Sequence, residues 1–380
     1  MGQLDSNLVD KITENCIKLY KEQPKTGKPI EAEWTVLSCL IQYDIQSKEF
    51  EVVALGTGSK CIGASKMSAS GDIMNDSHAE IFARRGFLLY LYENIEQALL
   101  SKQSIFIFEN DPFTLKNNIE FIFYSSQLPC GDASILPKTG EEEHYGDILH
   151  SLKKEASEVI CDVECKKVKT DIHRTGAKCL PYSKQDSKDP GTSYHILGQV
   201  RTKPGRGDRT QSVSCSDKMA RWIQVGIQGG LLDLLLSKPI YIKYFIFGAG
   251  VPYSEESLKR ALFKCDYFVK IIVTIFNFYY RSVEVAVQGR KLGVTKKKAK
   301  LLSSSLCISK YNIYKRFQKI LKKNEKLKKL ICTENIEKIP YNEMKNKSNR
   351  YLDKWVLVKD IFFKSWTKKP DMWNFCINET

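Results

Sequence analysis

The chain has 380 residues, 59 of them Lys or Arg against 44 Asp or Glu, for a formal charge of +15. With 42% hydrophobic and 27% charged residues it is long and apolar enough to bury a large core, which excludes a disordered or fibrous chain. The charge excess suits a polyanionic partner, nucleic acid first, and the twelve scattered Cys read as reduced thiols or metal ligands rather than a disulfide framework.

In chain order, Leu8, Val9, Ile12, Cys16, Leu19 and Tyr20 recur at helical spacing, so residues 6–22 form an amphipathic helix. Residues 33–43 and 49–55 read as strands around a polar turn, and the Gly-, Ser- and Lys-rich stretch 56–76 reads as loop. A helix follows over 77–100, with Ser77 and Glu80 in a capping-box pattern. Strands are expected at 104–109 and 119–125, and a short helix after Cys130. Residues 137–192 are polar, with the run Glu141-Glu142-Glu143, and read as a partly disordered surface insertion. Beyond it come a helix over 219–236, buried strands at 240–247 and 267–279, and a basic helical tail over 311–363. No linker or internal repeat divides the chain, so residues 1–380 are expected to form a single α/β domain, with helices on both faces of a mixed sheet. No stretch reaches the length of a membrane span, and Met1-Gly2-Gln3-Leu4-Asp5-Ser6 is short and polar, so an intracellular protein without membrane attachment is expected. Met1-Gly2 with Ser6 fits the loose myristoylation pattern, with no second signal for anchoring.

Three short segments carry chemistry: Ser77-His78-Ala79-Glu80, Pro129-Cys130-Gly131-Asp132 and Ser214-Cys215-Ser216-Asp217-Lys218. One imidazole and two thiolates make a three-ligand zinc site with a fourth position open to water, the arrangement of a catalytic rather than a structural zinc. Glu80, beside the His ligand, is the residue type a zinc deaminase uses to move protons. Zinc deaminases usually carry both thiolates in Pro-Cys-x-x-Cys. Here position 133 is Ala, and the second thiolate comes from Cys215, 85 residues downstream.

The segments Asn75–Ile81, Leu128–Asp132, Ser214–Trp222 and Val225–Gly230 resemble the deaminase domain of the RNA-editing adenosine deaminases, from about residue 30 to the C-terminus apart from the insertion. That resemblance implies a cytidine-deaminase-like three-layer fold extended by C-terminal helices. It implies zinc on His78, Cys130 and Cys215, with Glu80 shuttling protons as water replaces the C6 amine of adenosine. The segments Arg201–Thr210 and Gly293–Lys297 are similar to the tRNA-acting branch, and with the deaminase region read as starting almost at residue 1, no upstream RNA-binding domain is expected. The expected partner is therefore tRNA, with the adenosine immediately 3′ of the anticodon of alanine tRNA as target and no obligate protein partner. A deaminase acting on duplex RNA and an inactive RNA-binding subunit are the competing readings. The intact His78, Glu80, Cys130 and Cys215 set opposes the second.

The same resemblance implies a buried inositol hexakisphosphate, held by Asn75, Arg84, Arg85, Lys218, Arg221 and Trp222, and in the tail by Tyr341, Lys345, Tyr351, Trp366 and Lys369. The family's Glu before that last Lys is Lys368 here. For RNA it implies contacts from Ser59 and Lys60 and from the loop residues Arg201, Lys203, Arg206, Asp208 and Arg209. Asp208 stands where duplex editors carry a base-replacing Glu, and Ser134 where they carry an Arg. The Lys296-Lys297-Lys298 run and Lys315–Lys329 suit phosphate-backbone contacts. Cys161, Cys165, His173 and Cys179 form a weaker candidate for a second zinc.

Overall fold

The structure, a computed structural model, describes residues 4–30, 33–109, 112–138, 171–205, 208–248, 252–263, 270–274, 284–295, 297–298, 301–368 and 374–377. Helix α1 (Ser6–Lys21) opens with Asp5 as N-cap, its carboxylate accepting from the Asn7 N–H. Strands β1 (Leu37–Asp44) and β2 (Phe50–Thr57) form an antiparallel pair, and two short strands, β3 (Ser59–Cys61) and β4 (Asp76–His78), follow. The long helix α2 (Ala79–Leu99) leads to β5 (Ile119–Ser125), then α3 (Cys215–Val225), α4 (Gly229–Asp233), β6 (Tyr244–Gly248), α5 (Glu255–Leu262) and β7 (Lys270–Thr274). The principal sheet has the order β7-β6-β5-β1-β2. It is mixed: β6 runs parallel to β5 and β7, while β1 runs antiparallel to both its neighbours.

Alternation along the strands feeds two cores. Cys39, Ile41, Ile122, Tyr124 and Ile246 face α1, where Val9, Ile12 and Cys16 are fully buried. Leu40, Phe121, Phe123, Phe245 and Phe247 face the other way, onto α2 and the C-terminal helices. That second core buries α2 on several sides, with Ala83, Phe87, Leu91, Tyr92 and Ile95 at 0% exposure. The expected mixed α/β arrangement with helices on both faces is thus present.

Several boundaries differ from expectation. The helix expected from Ser77 begins at Ala79, because Asp76–His78 pairs with β3 and His78 becomes an N-cap in extended conformation. Its side chain makes no capping bond and stays available. The helix expected from Met219 begins four residues earlier, where the Ser214 hydroxyl accepts from the Asp217 N–H, and it breaks at Gly226. The strand expected at 104–109 shrinks to Phe106–Ile107, since Ser104 Oγ bonds back to Asn94 O of α2. The tail is helical as expected, divided into α6 (Lys310–Lys323), α7 (Glu325–Ile331), α8 (Tyr341–Asn346) and α9 (Asn349–Val358). Asn324 ends α6 and caps α7 through the Leu327 N–H, and Pro340 starts α8. The expected insertion is ordered at its end, where Ile172–His173 pairs with Leu136–Pro137 and Lys178–Cys179 pairs with Arg201–Thr202. Residues 139–170, including Cys161 and Cys165, lie outside the described residues.

Candidate active site

Three elements deliver three donor atoms to one point. His78 caps α2, Cys130 ends the segment after β5, and Cys215 is the first residue of α3. His78 Nδ1 lies 3.9 Å from Cys130 Sγ and 3.7 Å from Cys215 Sγ, and the three donor atoms sit within 4.8 Å of one another. Tetrahedral zinc, with bonds of about 2.0–2.3 Å, sets its ligand atoms roughly 3.5–3.8 Å apart. The set therefore fits that ion with little movement. Glu80, the second residue of α2, is 2% exposed. Its Oε2 lies 4.0 Å from His78 Nδ1 and has no hydrogen-bond partner. Burial raises its pKa, so the carboxyl holds a proton more readily than an exposed one.

Close approach of the two thiols depends on Gly131. Its φ is +109°, and a Cβ there would meet Ser214 Oγ at 2.3 Å and Ser216 Oγ at 2.5 Å. Ser216 Oγ instead accepts from the Asp132 N–H and donates to Cys130 O, binding the two cysteine segments together. The hydrogen bond from the Cys215 thiol holds Cys130 well below the usual thiol range. Burial pushes Cys215 up.

Behind the thiols lies a buried charge relay. Lys203 is 1% exposed, and its Nζ donates to Cys215 Sγ at 2.9 Å and to Asp76 Oδ2 at 2.8 Å. Burial alone would lower the Lys203 pKa, but Asp76 and the two cysteines hold it well above the usual value. Asp76 also accepts from Lys218 and from the His78 N–H, so it ties one ligand's backbone to the other's sulfur. The sequence reading missed Asp76, although it stands two residues before His78.

Lys218 leads into a cavity of about 270 Å³. Asn75, Arg84, Arg85, Lys218, Arg221, Trp222, Tyr341, Lys345, Tyr351 and Trp366 all line it, gathered from α2, α3 and the C-terminal helices. Lys369, the eleventh of this group, lies outside the described residues. Lys310 and Lys368 line the cavity as well and were not assigned to it from sequence. Among the described residues, none of the three guanidinium groups in this wall makes an ion pair. Arg84 donates to Ile227 O, Arg85 donates to Ile308 O, and Arg221 stacks on Trp355 at 3.7 Å. Arg85 Nη2, Arg221 Nε and Asn75 Nδ2 are buried without partners. Burial pushes Arg85 down to about 10.

The expected RNA contacts separate into two groups. Ser59 and Lys60 line a second cavity of about 1000 Å³, whose walls include Lys28, Lys66, Phe82 and Val285. Asp208 and Arg209 lie at the surface beside it, and Arg206 is outside the described residues. Arg201 and Lys203 are not at the surface, which corrects their assignment as RNA contacts. Arg201 is 0% exposed and donates to both oxygens of Asp186, at 2.6 and 2.7 Å, and to Ile196 O. Asp186 also holds His195, at 2.9 Å from Nδ1. The strand that starts the loop runs beneath the surface here, so both cations point inward. Cys179, offered for a second zinc, is buried and accepts from Arg201.

A half-buried His-Cys-Cys triangle with an unpartnered carboxylate oxygen beside it, on a mixed sheet, has the donor set and proton carrier that hydrolytic deamination needs. The chain belongs to the adenosine-deaminase (editase) family, whose pattern it matches over residues 54–281 and 275–370, and it is an enzyme that deaminates adenosine. It is 37% identical to the tRNA-specific adenosine deaminase 1 of Drosophila melanogaster over 399 aligned positions, 95% of each chain. It is 31% identical to the tRNA-specific adenosine deaminase 1 of Mus musculus, over 95% of this chain and 98% of the relative. It is 32% identical to the double-stranded RNA-specific editase Adar of Drosophila melanogaster, over 53% of this chain and 27% of that protein. Among the described residues, no helix is long and apolar enough to cross a membrane.

Proposed function

We propose that the chain is a zinc-dependent tRNA deaminase on a cytidine-deaminase-like fold. It converts adenosine to inosine at the position immediately 3′ of the anticodon of alanine tRNA. The observation that carries this reading is the convergence of His78, Cys130 and Cys215 beside the buried, unpartnered Oε2 of Glu80. Zinc held by those three residues would supply a water of lowered pKa. Glu80 takes one proton from the attacking water and gives it to the adenine ring nitrogen, then takes the second from the new C6 hydroxyl and gives it to the amino group, so the C6–N bond breaks, the C6 carbonyl forms and ammonia leaves. The raised pKa of Glu80 suits a group that must both accept and return a proton. Asp76 and Lys203 keep the His78 and Cys215 donors in register.

The cation-lined cavity supports a bound polyphosphate of the inositol hexakisphosphate type. Half-buried guanidinium groups with no carboxylate among the described residues are costly unless an anion neutralises them, and the buried, unpartnered Arg85 Nη2 and Arg221 Nε suit phosphate oxygens. Surface Lys60, Arg209 and the outer Lys residues of α6 supply the charge for the tRNA backbone. The test is incubation of the purified protein with total tRNA and then inosine mapping. Inosine beside the alanine anticodon is expected. Inosine confined to duplex RNA, or absent, would overturn the reading.

A further inference from the structure

The surface loop after Lys203 is fastened to the segment that carries Lys60. The Ser65 N–H donates to Asp208 Oδ2 at 2.7 Å, and the neighbouring Ala64 N–H donates to Arg209 O at 2.9 Å. The hydrogen bond from Ser65 holds the Asp208 carboxyl below its usual range. Two glycines make room for this contact. A Cβ on Gly63 would lie 2.6 Å from both Cβ and Oδ2 of Asp208, and one on Gly205 would lie 1.7 Å from Asp208 O. The fastened segment continues directly into β3, where Ser59 stands opposite His78 and Lys60 opposite Ser77. The segment fastened to the 208–209 turn is therefore continuous with β3, the strand paired with the one that carries His78.

We propose that Asp208 is a positioning residue that clasps the two loops beside the active site, with its carboxylate committed to the protein rather than to RNA. The clasp sets the approach of Lys60 and fixes the substrate preference. A committed carboxylate does not fill the gap left by a base drawn from a duplex, so the enzyme takes an adenosine already unstacked in a loop. This rests on the reading of the chain as a tRNA deaminase.

The test measures KM and kcat of the full chain on an alanine tRNA transcript and on a duplex RNA containing adenosine. Failure of the unaltered protein on the tRNA would sink the tRNA reading itself, and it is distinguishable from failure of the clasp, which is read from the variants. Losing one charge-assisted hydrogen bond, Asp208→Ala is expected to raise KM for tRNA about tenfold with kcat within about twofold and an unchanged melting temperature. Asp208→Asn keeps the acceptor and should stay within about threefold of the unaltered protein. Gly63→Ala, which displaces the carboxylate, should reproduce Asp208→Ala, and the double variant should add nothing. Trypsin should cut after Lys60 and Lys66 faster in Asp208→Ala. The proposal falls if Asp208→Ala leaves KM unchanged, if Asp208→Asn is as impaired as Asp208→Ala, or if the Gly63 and Asp208 effects add. It also falls if the unaltered protein deaminates the duplex as fast as the tRNA.

Discussion

Replacing Lys203 by Met tests the site's inner architecture, because an RNA contact and a buried relay predict opposite phenotypes. The side chain is 0% exposed, and its partner Asp76 is 6% exposed. Removing one member of a fully buried pair costs about 3–5 kcal/mol, because the remaining charge is stranded. Here Asp76 keeps Lys218 and the His78 N–H, which offsets part of that cost, so a loss of about 2–3 kcal/mol is the expected range. In a chain of this size that lowers the melting temperature by roughly 2–6 °C. Cys215 also loses its Lys donor, at 2.9 Å. Zinc affinity should therefore fall, and kcat with it. Lys218→Met, whose side chain is 20% exposed, should cost less in stability. The assay pairs thermal unfolding and metal analysis with deamination kinetics. A Lys203→Met protein with unaltered melting temperature and zinc content but a raised KM would refute the relay and restore Lys203 to the RNA surface.

Glu80→Gln should lower kcat by about 10²–10⁴-fold, the usual contribution of a general acid–base group, while inductively coupled plasma analysis still finds zinc in the protein. Protein purified from eukaryotic cells should carry phosphorus beyond its own modifications. Arg85→Met and Arg221→Met should each lose it and become less stable, and a phosphorus-free native protein would dismiss the polyanion. Gly131→Ala forces a left-handed backbone onto Ala, at about 1–3 kcal/mol, and drives its Cβ against Ser214 and Ser216, so zinc loss and a lowered urea midpoint are expected. Burial pushes the Asp186 carboxyl up, but hydrogen bonds from Arg201, the Ile196 N–H and His195 prevail and hold it low. A depressed carboxyl stabilises above its unfolded pKa of about 4 and loses that contribution as pH falls through the folded value. The urea midpoint should therefore drop between about pH 5 and pH 2 by more in the unaltered protein than in Asp186→Asn.

The convergence of His78, Cys130 and Cys215 was readable from sequence because metal-binding chemistry constrains the residues around such a set. His78 with Glu80, and each Cys beside a helix start, carry their own short signatures. The cation cluster was readable for the same reason, since Arg84-Arg85 and Lys218–Trp222 flank the ligands directly. Direction was not readable. Arg201 and Lys203 sit in a stretch rich in Gly, Pro and Arg that reads as exposed loop, yet both turn inward. Their partners explain why: Asp76 is 127 residues from Lys203, and Asp186 lies in a segment whose polarity reads as insertion. No periodicity links such pairs. A buried cation is recognisable only together with the carboxylate that neutralises it, and that pairing is a property of the fold. The same logic separates the two basic regions. Lys203 has an internal carboxylate, whereas the half-buried Arg84, Arg85 and Arg221 have none among the described residues, and that contrast is the reason the proposed anion is assigned to the second group.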